Sequence, residues 1–217
     1  MIDVYRLLIF TCCVGDPLYR TVRSDGVAQK EFKNSVFIGH AAPIRDEAEA
    51  KAFVLAVKER YSDANHNVSA YLINSGSTLV AKYDDDGEPA GSSGKPVFKV
   101  LELKELSNVA VVVTRYFGGI KLGFGGLSRA YREAAVAAIE EAGIIEVHET
   151  VALKLTVIYS DLQPVKKLVE EYGNVLDETY TDVVELSVEV RKGAEDDLIS
   201  QVSELTRNRA TVAYIDD

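Results

Sequence analysis

Val151-Ala152-Leu153-Lys154-Leu155-Thr156-Val157-Ile158-Tyr159 carries Val151, Leu153, Leu155, Val157 and Tyr159 at alternate positions. Successive side chains of a strand point to opposite faces, so this spacing predicts a half-buried strand. Ser160 and Gln163 then fit a capping box, and Val165, Leu168, Val169 and Tyr172 share one helical face up to a closing Gly173. Two more strands are expected, the second with Val184, Leu186, Val188 and Val190 in alternation. A helix bearing Leu198, Val202 and Leu205 follows, and residues 210–215 form a last strand. The order βαββαβ is the ferredoxin-like split arrangement, which assigns residues 149–217 to one domain.

Residues 1–148 have a different rhythm and read as a second α+β domain. An apolar run, Leu7-Leu8-Ile9-Phe10-Thr11-Cys12-Cys13-Val14, is too short to span a bilayer and lacks the leader of a signal peptide, so a buried first strand is expected there. Residues 31–38 read as one extended segment. Pro43 and Asp46 introduce a helix with Phe53, Val57 and Tyr61 on one face, and Glu47 and Lys51 form an i,i+4 pair. Strands are expected over residues 68–73 and 78–83, and a short helix from Pro96. The run Asn108-Val109-Ala110-Val111-Val112-Val113-Thr114 is a buried strand by its β-branched density. The helix beyond it has Leu127, Ala130, Ala134, Ala138 and Ala142 as its buried stripe and Gly143 as its cap.

Of the 217 residues, 47% are hydrophobic and 27% charged, a globular composition. The net charge is −10, and residues 151–217, with 7 basic and 14 acidic side chains, hold most of it. Such acidity opposes nonspecific binding to phosphate backbones, so a nucleic-acid contact must come from a local patch in the first 150 residues. The adjacent Cys12 and Cys13 staple nothing, and His40, His66 and His148 have no ligand spacing. An intracellular, cytoplasmic chain without metal or cofactor is expected.

Two turn-rich stretches carry the possible chemistry. Gly118-Gly119-Ile120-Lys121-Leu122-Gly123-Phe124-Gly125-Gly126 lies between a buried strand and a helix, close to Arg115, Tyr116 and Arg129. Bare amides and a positive helix end make such a loop an anion site, although it matches neither a P-loop nor a dinucleotide fingerprint. The alternative is a tight turn whose glycines only satisfy unusual dihedrals. The other stretch runs Asp84-Asp85-Asp86-Gly87-Glu88-Pro89-Ala90-Gly91-Ser92-Ser93-Gly94-Lys95-Pro96. Its acids read as a solvated turn or as ion-pair partners rather than a metal site, because the calcium-loop spacing fails. Asp85, Asp86 or Glu88 pairing with Arg115 or Arg129 would lock the loops together. Ser92 and Ser93 are expected to cap the next helix, and His66 to be structural. Nucleophilic catalysis has no support, since no serine, cysteine or threonine sits beside a base.

Taken together, residues 85–96 and the run from Val113 to Tyr131 resemble the two signatures of the IMPACT/YigZ family. Lys33-Asn34-Ser35-Val36-Phe37-Ile38 and Ala64-Asn65-His66 also match its pattern. The resemblance spans about residues 19–145. It implies an N-terminal ribosomal-protein-like βαβ domain with a left-handed crossover, and a C-terminal domain like one of a translation elongation factor. It also implies a link to translation: eukaryotic relatives restrain a stress-activated kinase by competing for its activator. No RWD domain is expected ahead of this chain, so that kinase role is not carried over. Ser92-Ser93 stand where the family commonly has Thr-Ala, and Val68 where a cysteine is common.

The combined expectation is a translation-associated regulatory binding protein whose glycine loops contact RNA, nucleotide or ribosome. Its ligand set would be Asp85, Asp86, Gly87, Glu88, Gly91, Ser92, Ser93, Gly94, Lys95, Arg115, Tyr116, Gly118, Gly119, Lys121, Gly123, Gly125, Gly126 and Arg129. A translation-regulatory protein is the other expected partner, with neither membrane nor specific DNA. The rivals are a Mg²⁺-dependent enzyme acting on a phosphorylated small molecule, and a protein–protein module using the exposed C-terminal sheet.

Overall fold

The valine run becomes β6 (Val109–Tyr116), the middle strand of a five-stranded antiparallel sheet in a computed structural model that describes residues 18–74 and 79–215. The expected first strand near residues 7–14 lies outside the described residues. In chain order the earlier elements are β1 (Tyr19–Val22), β2 (Gly26–Phe32), β3 (Ser35–Pro43), α1 (Glu47–Arg60), β4 (His66–Asn74), β5 (Leu79–Asp84) and α2 (Gly94–Leu103). After β6 come α3 (Gly123–Ala142) and β7 (Ile144–Val147). The sheet order is β2-β3-β6-β4-β5. Both β3 and β4 pair antiparallel with β6, so they run parallel to each other on either side of it, joined through α1. By the same geometry β5 and β6 are parallel across β4, joined through α2.

Residues 109–113 are fully buried because helices cover both faces. On one face α2 and α3 pack Val97, Leu101, Leu127 and Tyr131 against Phe37, Val68, Val111 and Val113. On the other, α1 brings Ala50 and Phe53 to Tyr71, Ile73 and Ala110. Each buried valine contributes about 1.5–3 kcal/mol of transfer free energy. The alanine stripe of α3 is buried as expected, with Tyr131, Ala135 and Ile139 added to it. Small residues on both sides let this helix lie close to the sheet: a Cβ at Gly39 would sit 2.3 Å from the Ala134 carbonyl oxygen, and one at Gly26 2.4 Å from that of Ala138.

Several local expectations need correction. Residues 31–38 are two strands, not one: β2 and β3 form a hairpin that turns at Lys33 and Asn34, both with positive φ (45° and 65°). This is the left-handed geometry that two-residue hairpins require. The short helix starts at Gly94, two residues before Pro96, which occupies its first turn. The longer one starts within the glycine run, at Gly123. The pair β1 and β7, a two-stranded antiparallel ribbon, was not anticipated. Asp46 does cap α1, accepting from the Glu49 amide at 2.8 Å, and Glu47 pairs with Lys51 at 3.1 Å.

A separate unit begins at His148. It contains β8 (Thr150–Val157), α4 (Leu162–Tyr172), β9 (Gly173–Tyr180), β10 (Val184–Arg191), α5 (Glu195–Thr206) and β11 (Thr211–Tyr214). The antiparallel order β11-β8-β10-β9 is the ferredoxin-like one, fourth strand beside first, then third and second. Leu153, Leu155, Leu186 and Val188 meet Val165, Val169, Leu198 and Val202 in its core. Two details differ from expectation. The N-cap of α4 is Asp161, with no side-chain cap bond, because its carboxylate pairs with Arg209 at 3.0 Å. Leu205 is 45% exposed rather than core.

Candidate functional site

The two glycine-rich bends meet beside the C-terminal end of β6. The Ser128 hydroxyl donates to the Ser92 carbonyl at 3.0 Å. Arg115 Nη1 donates to Glu88 Oε1 at 2.5 Å, with both side chains buried at 7% and 3% exposure. Of the pairings that the sequence left open, this is the one that locks the loops. Arg129 instead pairs with Glu133 one turn along its own exposed helical face. Glu88 Oε1 also accepts from the Tyr131 hydroxyl at 2.8 Å and lies 3.9 Å from His66 Nε2. Burial, with the Glu88 charge beside it, pushes the Tyr131 hydroxyl well above its ordinary value and keeps it a donor. His66 Nδ1 is held by the Asp86 carbonyl oxygen at 2.8 Å.

Most of the first loop is closed on itself, with Asp85 and Asp86 occupied by protein donors, while Glu88 lines the cleft described below. One Asp85 carboxylate accepts from the amides of Gly91 (2.7 Å), Ser93 (3.0 Å) and Gly94 (2.7 Å). Asp85 therefore supplies the cap of α2 that Ser93 was expected to give. Ser93 makes no side-chain cap bond, and the two serine hydroxyls are buried and contact each other at 3.0 Å. Asp86 is spent on Lys58 (2.6 Å) and the Asn67 amide (2.6 Å), partners that hold its carboxyl below the usual range against the opposing effect of burial. Gly87, with φ of 84°, allows the turn there. Lys95 is exposed and is not among the residues lining the cleft described next. The Asp85 and Asp86 carboxylates are committed to protein donors, and no group of three or more His, Cys, Asp or Glu among the described residues could hold a metal ion.

The second loop stays open. Its first amides are used, Phe117 N–H on Asn65 Oδ1 (2.8 Å) and Gly118 N–H on Ser35 Oγ (3.1 Å). Gly118 is pinned onto the Lys33–Asn34 turn, where a Cβ would lie 2.0 Å from the Asn34 carbonyl oxygen. Beyond it the character changes. A Cβ at Gly119, Gly123 or Gly125 would meet nothing within 4 Å, whereas Gly126 packs on Leu122. The first turn of α3 has Leu122 as its N-cap and no side-chain cap bond. Among the described residues no side chain caps the leading N–H groups, at the positive end of the helix dipole. Tyr116, on the opposite face of β6 from Arg115, turns away and donates to Asp63 at 2.8 Å.

A cleft of about 380 Å³ joins the two loops, lined by Glu88, Pro89, Arg115, Phe117, Lys121, Leu122, Gly123, Phe124 and Leu127. Sequence reasoning missed its apolar walls. The available signal was the presence of Phe117, Ile120 and Phe124 in a glycine turn, and all three are exposed. The Arg115 guanidinium lies 5.3 Å from the centre of the Phe117 ring and 5.5 Å from that of Phe37. Its Nε is buried without a hydrogen-bond partner among the described residues. The site thus combines an acidic, ion-paired floor, aromatic walls and a cationic rim at Lys121 and the α3 amides.

Comparison with known proteins shows the family of the chain. The Impact N-terminal domain model matches residues 33–139, and a domain of unknown function, DUF1949, matches residues 155–209. The Bacillus subtilis IMPACT family member YvyE is 33% identical over 195 residues, which is 89% of each chain. Escherichia coli YigZ is 40% identical over 103 residues, 47% of this chain and 50% of its own. A crystal structure of a hypothetical protein superposes with a TM-score of 0.57 at 26% identity, covering 92% of this chain and 98% of that one. With both signatures in place, both domain models in order and YvyE matched along 89% of its length, this chain belongs to the IMPACT family.

Proposed function

We propose that this chain is a translation-linked regulatory binding protein that takes a phosphate-bearing partner, RNA or nucleotide, in the cleft between its glycine loops. Family membership supports the link to translation. The observation that carries the ligand class is the uncapped amino end of α3, which opens into the cleft beside exposed Lys121. Anions bind such ends because several N–H groups converge on one point with the dipole behind them. Only the second loop supplies donors; the first is a strut. Arg115 belongs to the strut as well, its charge met by Glu88.

Fluorescence anisotropy of labelled single-stranded RNA at several salt concentrations tests this reading. Lys121→Glu is expected to weaken binding several-fold and to flatten the salt dependence by about one phosphate contact. Arg129→Ala, outside the cleft, should leave both unchanged. Equal affinity and equal salt slope for Lys121→Glu and the unaltered chain would overturn the reading.

A further inference from the structure

We propose that the same cleft takes one unpaired base with a donor-rich edge, guanine before the others. Its ring would lie against Phe117 and Phe124, and its N–H groups on the Glu88 carboxylate. The proposal rests on the phosphate reading above and names the part of the ligand that α3 does not hold.

Three observations converge on it. The first is the walls. Pro89, Phe117, Leu122, Phe124 and Leu127 make most of the lining apolar, and Phe117 and Phe124 are 45% and 61% exposed. Exposed aromatics beside a cationic loop are how proteins hold unstacked bases, since every base offers a π-face. Arg115 beneath the Phe117 ring steadies that platform. The second is size. A cleft of about 380 Å³ falls within the range of about 300–1,000 Å³ usual for small-molecule sites.

The third is the floor. Both hydrogen bonds to the Glu88 carboxylate, and its contact with His66, run through Oε1. Oε2 is left as an acceptor with no hydrogen-bond partner among the described residues, on a side chain 3% exposed that lines the cleft. An ionised carboxylate offers acceptors only. Guanine presents N1–H and N2–H₂ side by side and satisfies it. Adenine and cytosine each set one amino group beside a ring-nitrogen acceptor, and uracil sets one N–H between two carbonyls, so each brings a lone pair against the carboxylate. The Glu88–Arg115–Tyr131 network holds the floor rigidly enough to discriminate.

Isothermal titration of the full chain with GMP, AMP, guanosine and ribose 5-phosphate tests the assignment. GMP is expected to bind at least about tenfold more tightly than AMP. Phe124→Ala should weaken GMP and guanosine about tenfold and leave ribose 5-phosphate unchanged. Lys121→Glu should weaken GMP and ribose 5-phosphate but not guanosine. Because Phe124 is exposed, its variant tests the cleft without threatening the fold. Glu88→Gln, compared by circular dichroism, should erase the preference for GMP. Equal binding of GMP, AMP and ribose 5-phosphate overturns the base assignment while the phosphate reading stands. Guanosine binding as tightly as GMP overturns the phosphate reading and supports the base site. Failure of all four ligands overturns both. A short single-stranded RNA containing one guanine, bound more tightly than GMP, assigns the site to RNA; the reverse order assigns it to a free nucleotide.

Discussion

Replacing Arg115 by methionine removes one partner of a buried ion pair and leaves the other in place. The Glu88 side chain is 3% exposed, and the Arg115 nitrogen at 2.5 Å is its full counter-charge. Losing one member of such a pair costs about 3–5 kcal/mol, most of it the burial of an uncompensated charge. Here the lower end is expected, near 3 kcal/mol, because Tyr131 still donates at 2.8 Å. Set against a typical stability of about 5–15 kcal/mol, the variant should fold but unfold at clearly lower urea. Urea unfolding by far-ultraviolet circular dichroism reads the loss. Hydrogen exchange of peptides from β6 and α3 assigns it to the N-terminal unit. Arg115→Met with Glu88→Leu removes both charges and should recover at least half of the loss, the Tyr131 hydroxyl being the group left without an acceptor. A single variant within about 1 kcal/mol of the unaltered chain, or a double variant as unstable as the single, would refute the claim that this pair locks the loops.

Asp85→Ala strips the acceptor from three amides at the start of α2 and should destabilise the N-terminal unit by about 2–4 kcal/mol, with faster hydrogen exchange in that helix. His40 gives a pH dependence. Burial, reinforced by Arg60, lowers its ring to about 4 from the ordinary 6.5. The unfolded chain then takes up the proton first as the pH falls, so stability is full above about 6.5 and declines between there and 4. The decline is on the order of 2–3 kcal/mol, and His40→Gln should remove it. A His40 ring resonance titrating near 6.5 would contradict the assignment.

Patterns that depend on neighbours along the chain were legible in the sequence. Alternation named β8 and β10, and the alanine stripe named the buried face of α3, because period and burial are the same information. The kinship of the two glycine loops was also legible as a pair of ordered signatures. The β2–β3 hairpin was not, since Lys33-Asn34 lacks the glycine that usually marks a tight turn, and both residues adopt positive φ only because pairing on either side holds them there. The ribbon of β1 and β7 brings Val22 to Ile144, a contact that no local signal encodes.

The site divides in the same way. Glycines, acids and cations in two loops announce that amides and charges will be close. Which acid meets which cation is a matter of where β6 ends and how α3 turns. Glu88 reaches Arg115 while Arg129, on the next element, points along an exposed face to Glu133. The same packing consumed first-loop amides on Asp85 and left α3 without a side-chain cap among the described residues. Sequence by itself set most strand and helix faces and the family. Only tertiary structure decided which polar groups were satisfied inside the protein and which remained for a ligand, because that depends on distances between elements far apart along the chain.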